Sequence, residues 1–151
     1  PANATWREAS MARVDAAVRS LQGDGIHNIV LIGIGLGADL ALRYADANVA
    51  RFPPGGIGLV WLDARFQPPY SGRLDEALGD DYTLPILDLH QRNHHAEAAR
   101  ARGTSASRGG FDAYTRMAIP IPHHRRNVAE KRLGSWVGGW LRETMAGMER
   151  R

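Results

Sequence analysis

The feature that most constrains this chain is an unbroken apolar run, Asn28-Ile29-Val30-Leu31-Ile32, which feeds straight into Gly33-Ile34-Gly35-Leu36-Gly37. A run this rich in β-branched residues and without polar alternation reads as a strand covered on both faces, as in a parallel sheet. The glycines end the strand sharply, and helix-forming residues follow from about Ala38, with Leu40, Ala41, Tyr44 and Ala45. Two further runs of the same kind follow: Ile57-Gly58-Leu59-Val60-Trp61-Leu62, which ends at Asp63, and Leu84-Pro85-Ile86-Leu87-Asp88-Leu89. A fourth strand is expected over Tyr114 to Ile121, where Met117, Ile119 and Ile121 alternate.

Helical segments separate these strands. The first is expected to start at Thr5, where Thr5-Trp6-Arg7-Glu8 has the form of a capping box, and to carry Met11, Val14, Val18 and Leu21 inward. Short helices are expected around Leu74 to Leu78 and over His94 to Arg102, followed by a small polar loop from Gly103 to Gly110. The last helix is expected from Asn127 to Met148. Its Leu133, Trp136, Val137, Trp140 and Leu141 form one apolar stripe at helical spacing. Strands alternating with helices predict an α/β fold: a mostly parallel sheet with helices on both faces. At 151 residues the chain is expected to form one domain.

Composition narrows the function classes. There is no cysteine, so disulfides, thiolate chemistry and cysteine zinc sites are excluded. No apolar run reaches the roughly 18 residues of a membrane helix. The formal charge is only +3, and 18 of the 19 basic residues are arginine. They gather late in the chain, between Arg116 and Arg151. This reads as a solvated basic face, with a polyanion or anionic-membrane contact as the alternative. Nucleic acid is not the expected partner.

In a sheet of this class, ligands meet the carboxyl ends of strands. The turn Gly33-Ile34-Gly35-Leu36-Gly37-Ala38 therefore matters, and it admits three readings. In a nucleophile elbow of the form Gly-x-Ser-x-Gly, Gly33 and Gly37 are the outer glycines and Gly35 stands where the nucleophile belongs. In a dinucleotide-binding turn, Gly33, Gly35 and Ala38 supply the pattern, and Asp63 is the acid on the next strand, at a long spacing. In the third reading the small residues only let strand and helix pack closely.

Six histidines stand at 27, 90, 94, 95, 123 and 124. His90 and His94 are four apart, but no second ligand set accompanies them; they read as surface histidines, and neither metal nor cofactor is expected. Asp88 after one strand, and His123 or His124 after the last, occupy the order acid-then-histidine that supports a hydrolase nucleophile. Without that role the two histidines are polar residues before a helix. Ser71, Ser105 and Ser107 are the candidates for a nucleophile elsewhere.

Taken together, Ile29–Ala38, Leu84–Leu89, Tyr114-Thr115-Arg116, and His123-His124 followed by Leu133–Leu141 resemble the C-terminal half of an α/β-hydrolase. More narrowly, they resemble an uncharacterised, usually exported, hydrolase-like bacterial family of unknown function. The resemblance implies a vestigial triad at Gly35, Asp88 and His123 or His124, with the Leu36 N–H as one oxyanion donor. Two departures limit it. Gly35 has no side chain with which to attack, and the early strands of a full hydrolase sheet are missing. The expectation is a non-catalytic binding or scaffold domain that self-associates, or meets a protein partner, through an uncovered sheet edge. The alternatives are a serine-type esterase or amidase with its nucleophile elsewhere, and a nucleotide-binding module.

Overall fold

The computed structural model describes residues 2–67, 84–91, 96–119 and 126–144. The elements are α1 (Ala2–Gly23), β1 (Ile29–Ile34), α2 (Leu36–Asn48), β2 (Ile57–Leu62), β3 (Ile86–Gln91), α3 (Ala96–Arg108), β4 (Tyr114–Ile119) and α4 (Arg126–Thr144). A single 3-10 turn, Val49–Arg51, closes α2. The four strands form one all-parallel sheet in the order β1-β2-β3-β4.

The strand order explains the layers. Successive right-handed crossovers that always step the same way leave their helices on one face. Accordingly, α2 and α3 share a face of the sheet, and α1 packs on α2 and joins the same core through Val18. Their core holds Leu42, Tyr44, Leu59, Trp61 and Ile86. The opposite face carries a smaller core of Val60, Leu87, Leu89 and Ile119 under the Trp136, Trp140 and Leu141 side of α4. Full burial of each such aliphatic side chain is worth roughly 1.5–3 kcal/mol.

The four strands are not equally covered. Ile57 to Trp61 and Ile86 to His90 are buried at every position, as two-sided cover requires. β1 departs from the sequence expectation. Among the described strands it lies at the edge, and its Ile32 and Ile34 are 65% and 67% exposed. Both point to the α4 side, and α4 packs over β2, β3 and β4 but reaches only Val30 of β1. A continuous apolar run identifies a strand but not what covers it.

Several boundaries also move. α1 begins before Thr5, so the Thr5–Glu8 box lies inside the helix and does not start it. Gly103 to Arg108 is not a loop but the last half of α3. β3 begins two residues later than expected and runs to Gln91, and the part of the last helix expected beyond Thr144 lies outside the described residues. The helix expected over Leu74 to Leu78 lies outside the described residues.

Candidate functional site

The glycine turn has the geometry of a strand-to-helix elbow. Gly35 sits at its tip with φ 57° and ψ −117°, and α2 begins at the next residue. This is a left-handed backbone that a side-chain-bearing residue adopts only under strain. The tip is tied down on both sides. Gly35 N–H donates to Leu62 O at 2.9 Å, and Gly35 O accepts from Ala38 N–H at 3.2 Å and Arg65 N–H at 3.0 Å. Gly33 is sterically obligatory: a Cβ there would lie 2.5 Å from the Ala38 Cα and N and the Gly37 O. No described atom lies within 4 Å of a Cβ at Gly37, so among the described residues only Gly33 of the two outer glycines is closely packed. The Leu36 N–H belongs to the first turn of α2 and has no intrahelical acceptor.

The residue beside the elbow is Asp63. β1 and β2 pair Ile34 with Leu62, so the next positions, Gly35 and Asp63, stand side by side at the carboxyl edge. Asp63 is the one described non-glycine residue with positive φ, at 48°. Its carboxylate accepts from Gln91 N–H at 2.8 Å and from Gln91 Nε2 at 2.9 Å. Both oxygens are thus engaged by the end of β3, where a ribose-binding acid needs them open. The loop after Asp63 is fixed over the start of α2. Asp39, itself buried, accepts from Arg43 Nε at 2.8 Å and from Gln67 N–H at 3.1 Å.

Asp88 is elsewhere. The sequence suggests an acid just after a strand; the structure places it inside β3, opposite Trp61 on one side and Arg116 on the other. It is fully buried. Its Oδ2 accepts from Arg102 Nε at 2.7 Å and from the Tyr114 hydroxyl at 2.5 Å, and its Oδ1 accepts from Arg102 Nη2 at 3.0 Å. Arg102 lies 5.6 Å from the Phe66 ring centroid, and Phe66 meets Trp61 edge to face. Burial opposes the Arg102 charge, but Asp88 more than offsets it and holds the guanidinium above its ordinary pKa. Burial and then the Asp88 charge push the Tyr114 hydroxyl well above the usual tyrosine range. Asp88 therefore has its partners, and none of them is at the carboxyl edge.

His90 is buried within β3 rather than on the surface, with Nδ1 3.3 Å from Gln91 O. Ser105 and Ser107 lie on α3, Ser105 buried and Ser107 exposed. His94, His123, His124 and Ser71 lie outside the described residues. Among the described residues no cluster of three or more His, Asp or Glu side chains is placed to hold a metal. No helix among them is long and apolar enough to cross a membrane. The Asp88–Arg102–Tyr114 network was not legible beforehand. Its only signal was an acid and an arginine in segments whose apolar spacing buries them.

The chain belongs to a family of unknown function: residues 1–143 match the family model described as Protein of unknown function (DUF3530). No curated protein and no solved structure matches the chain.

Proposed function

We propose that this is a non-catalytic, α/β-hydrolase-like domain that acts by binding. The observation that carries this is Gly35: the elbow backbone is present and held by three hydrogen bonds, and its tip bears no nucleophile. The acid of the vestigial triad supports the same reading. Asp88 is sealed inside the sheet on Arg102 and Tyr114, where it cannot orient a histidine at the carboxyl edge. The Leu36 N–H alone leaves an incomplete oxyanion site, and loss of one such donor costs about 100- to 1,000-fold in rate. Ser105 and Ser107 are helix residues packed beside β3 and β4, away from the elbow on β1, which weakens the alternative of a nucleophile elsewhere.

The surface that supports binding is the free edge of β1. Ile32, Ile34 and Leu36 are exposed there, beside strand backbone that no described strand pairs. Edges of this kind are covered in functioning proteins, and a second copy of the chain is the partner this domain recruits.

Two measurements test the reading. Purified protein is expected to give no turnover of short-chain nitrophenyl esters above the buffer blank, and to run above monomer mass by light scattering. Ile34→Glu is expected to return it to monomer. Wild-type turnover that disappears in His123→Ala or His124→Ala would overturn the non-catalytic reading. Turnover confined to Gly35→Ser would leave that reading standing and show a base within reach of position 35. That substitution carries about 1–3 kcal/mol of backbone strain, so its fold is checked by circular dichroism.

A further inference from the structure

At the other edge of the sheet, α3 and β4 enclose an open cleft of about 650 Å³. Three arginines line it: Arg100 and Arg108 from α3 and Arg116 from β4. Thr104, Ser107 and Tyr114 add to the wall, and none of the described lining residues is a carboxylate. The arrangement follows from the two periodicities. Residues 100, 104, 107 and 108 fall on one helix face, and Tyr114 and Arg116 point to one side of a strand.

None of the three guanidiniums forms an ion pair with a described residue, although the chain holds 16 acidic residues. The nearest buried acid does not disturb them. Asp88 is neutralised from within by Arg102, and the Tyr114 hydroxyl turns its proton to Asp88 rather than to the cleft. Gly103 forms the floor. A Cβ there would lie 3.5 Å from the Arg116 guanidinium, so Arg116 lies flat against the helix and faces the arginines of α3. Helix rise separates positions 100 and 108 by about 12 Å along the axis. That span suits more than one anionic group.

We propose that this cleft binds a small ligand carrying at least two linked phosphate groups. Guanidinium forks match phosphate oxygens in bidentate fashion, and the Thr104 and Ser107 hydroxyls add uncharged donors between them. The site is independent of the elbow and of the β1 edge, which lie at the opposite side of the sheet.

Calorimetric titration of the whole chain with inorganic pyrophosphate tests it, at 50 and 200 mM salt. One saturable site is expected, weaker at the higher salt. Arg116→Ala and Arg108→Ala should each lower the affinity about tenfold or more. Arg13→Ala, an exposed arginine on α1, should leave it unchanged. The same phosphate chemistry has two sources, so a parallel arm uses phosphatidylcholine vesicles with and without phosphatidic acid. Binding to pyrophosphate alone assigns a soluble diphosphate. Binding to phosphatidic acid vesicles alone, if lost in Arg116→Ala, assigns the cleft to lipid headgroups and overturns the soluble ligand. No saturable binding in either arm, or equal loss in Arg13→Ala, overturns the site altogether. Folding of each variant is verified by its thermal transition, so that a lost site is not confused with a lost fold.

Discussion

The elbow on β1 and the middle of β3 are two strands apart and built from opposite materials. The elbow is backbone: a glycine at the tip, an N–H without an acceptor in its helix, and three main-chain hydrogen bonds that hold the turn. The middle of β3 is side chain: a buried carboxylate that accepts from a buried guanidinium and from a half-buried phenol. Among the described residues the tip of the elbow carries no side chain, while the Asp88–Arg102 ion pair is sealed inside the sheet. Chemistry-bearing residues in this chain are therefore not evidence of a reaction unless they reach the carboxyl edge. Asp88 has the residue type of a catalytic acid and the surroundings of a structural one.

The largest effect should come from breaking the sealed region. Arg102→Met leaves the Asp88 carboxylate buried and without its main partner, which costs about 3–5 kcal/mol. Adding Asp88→Leu removes the stranded charge and should recover most of the loss. Urea denaturation of the wild type, the single variant and the double variant measures both. A single variant as stable as the wild type would mean that water reaches Asp88 and that the contrast between the two regions is false.

The elbow breaks differently, by sterics alone. Gly33→Ala puts a Cβ 2.5 Å from backbone atoms of Ala38 and Gly37, none of which can rotate away. The start of α2 must shift, at about 3 kcal/mol. Thermal unfolding checks the magnitude. A near-neutral result would show that the turn is looser than its three hydrogen bonds imply.

How much of this was legible follows from the same contrast. Local patterns carried the element order, because buried β-branched runs and helical stripes are written residue by residue. The elbow was legible for the same reason: Gly33, Gly35 and Gly37 are contiguous. What a strand faces is not local. Ile29 to Ile32 read as covered on both sides, yet cover depends on where α4 lies, and α4 begins almost a hundred residues later. Likewise Asp88, Arg102 and Tyr114 meet only because β3, α3 and β4 fold together. The α3–β4 cleft is non-local too. Its arginines lie on different elements, and half of its helix reads from sequence as a polar loop.

A smaller perturbation sharpens the sealed region. Tyr114→Phe removes the 2.5 Å bond to Asp88 and leaves the ring in place. A hydrogen bond to a charged group is worth about 2 kcal/mol. The pH dependence has a definite sign. The Tyr114 pKa is raised above 10.0 in the folded state, so its contribution is fully present below pH 10. Above pH 10 the unfolded phenol ionises first, and the advantage is lost as pH climbs toward the folded value. The stability gap between wild type and Tyr114→Phe should therefore be constant from pH 6 to 9 and narrow above pH 10. A gap that stays unchanged up to about pH 11 would mean that the fold does not hold the hydroxyl protonated against Asp88.

The smallest effect separates the two outer glycines of the elbow. Gly37 lies in the first turn of α2, and a Cβ there meets nothing within 4 Å. Alanine restricts the unfolded chain and favours the helix, so Gly37→Ala should stabilise by about 0.5–1 kcal/mol. That corresponds to a rise in Tm of about 2 °C for a chain of this size. The sign is the informative part. A hydrolase elbow needs a small residue at both outer positions because helix and strand press on each. If alanine is tolerated at 37 and not at 33, only the strand side of the turn is still closely packed. On the proposed non-catalytic reading, the helix side has then relaxed because the turn holds no nucleophile. Destabilisation at both positions would mean that Gly37 is pressed as closely as Gly33, and that both sides of the turn are closely packed.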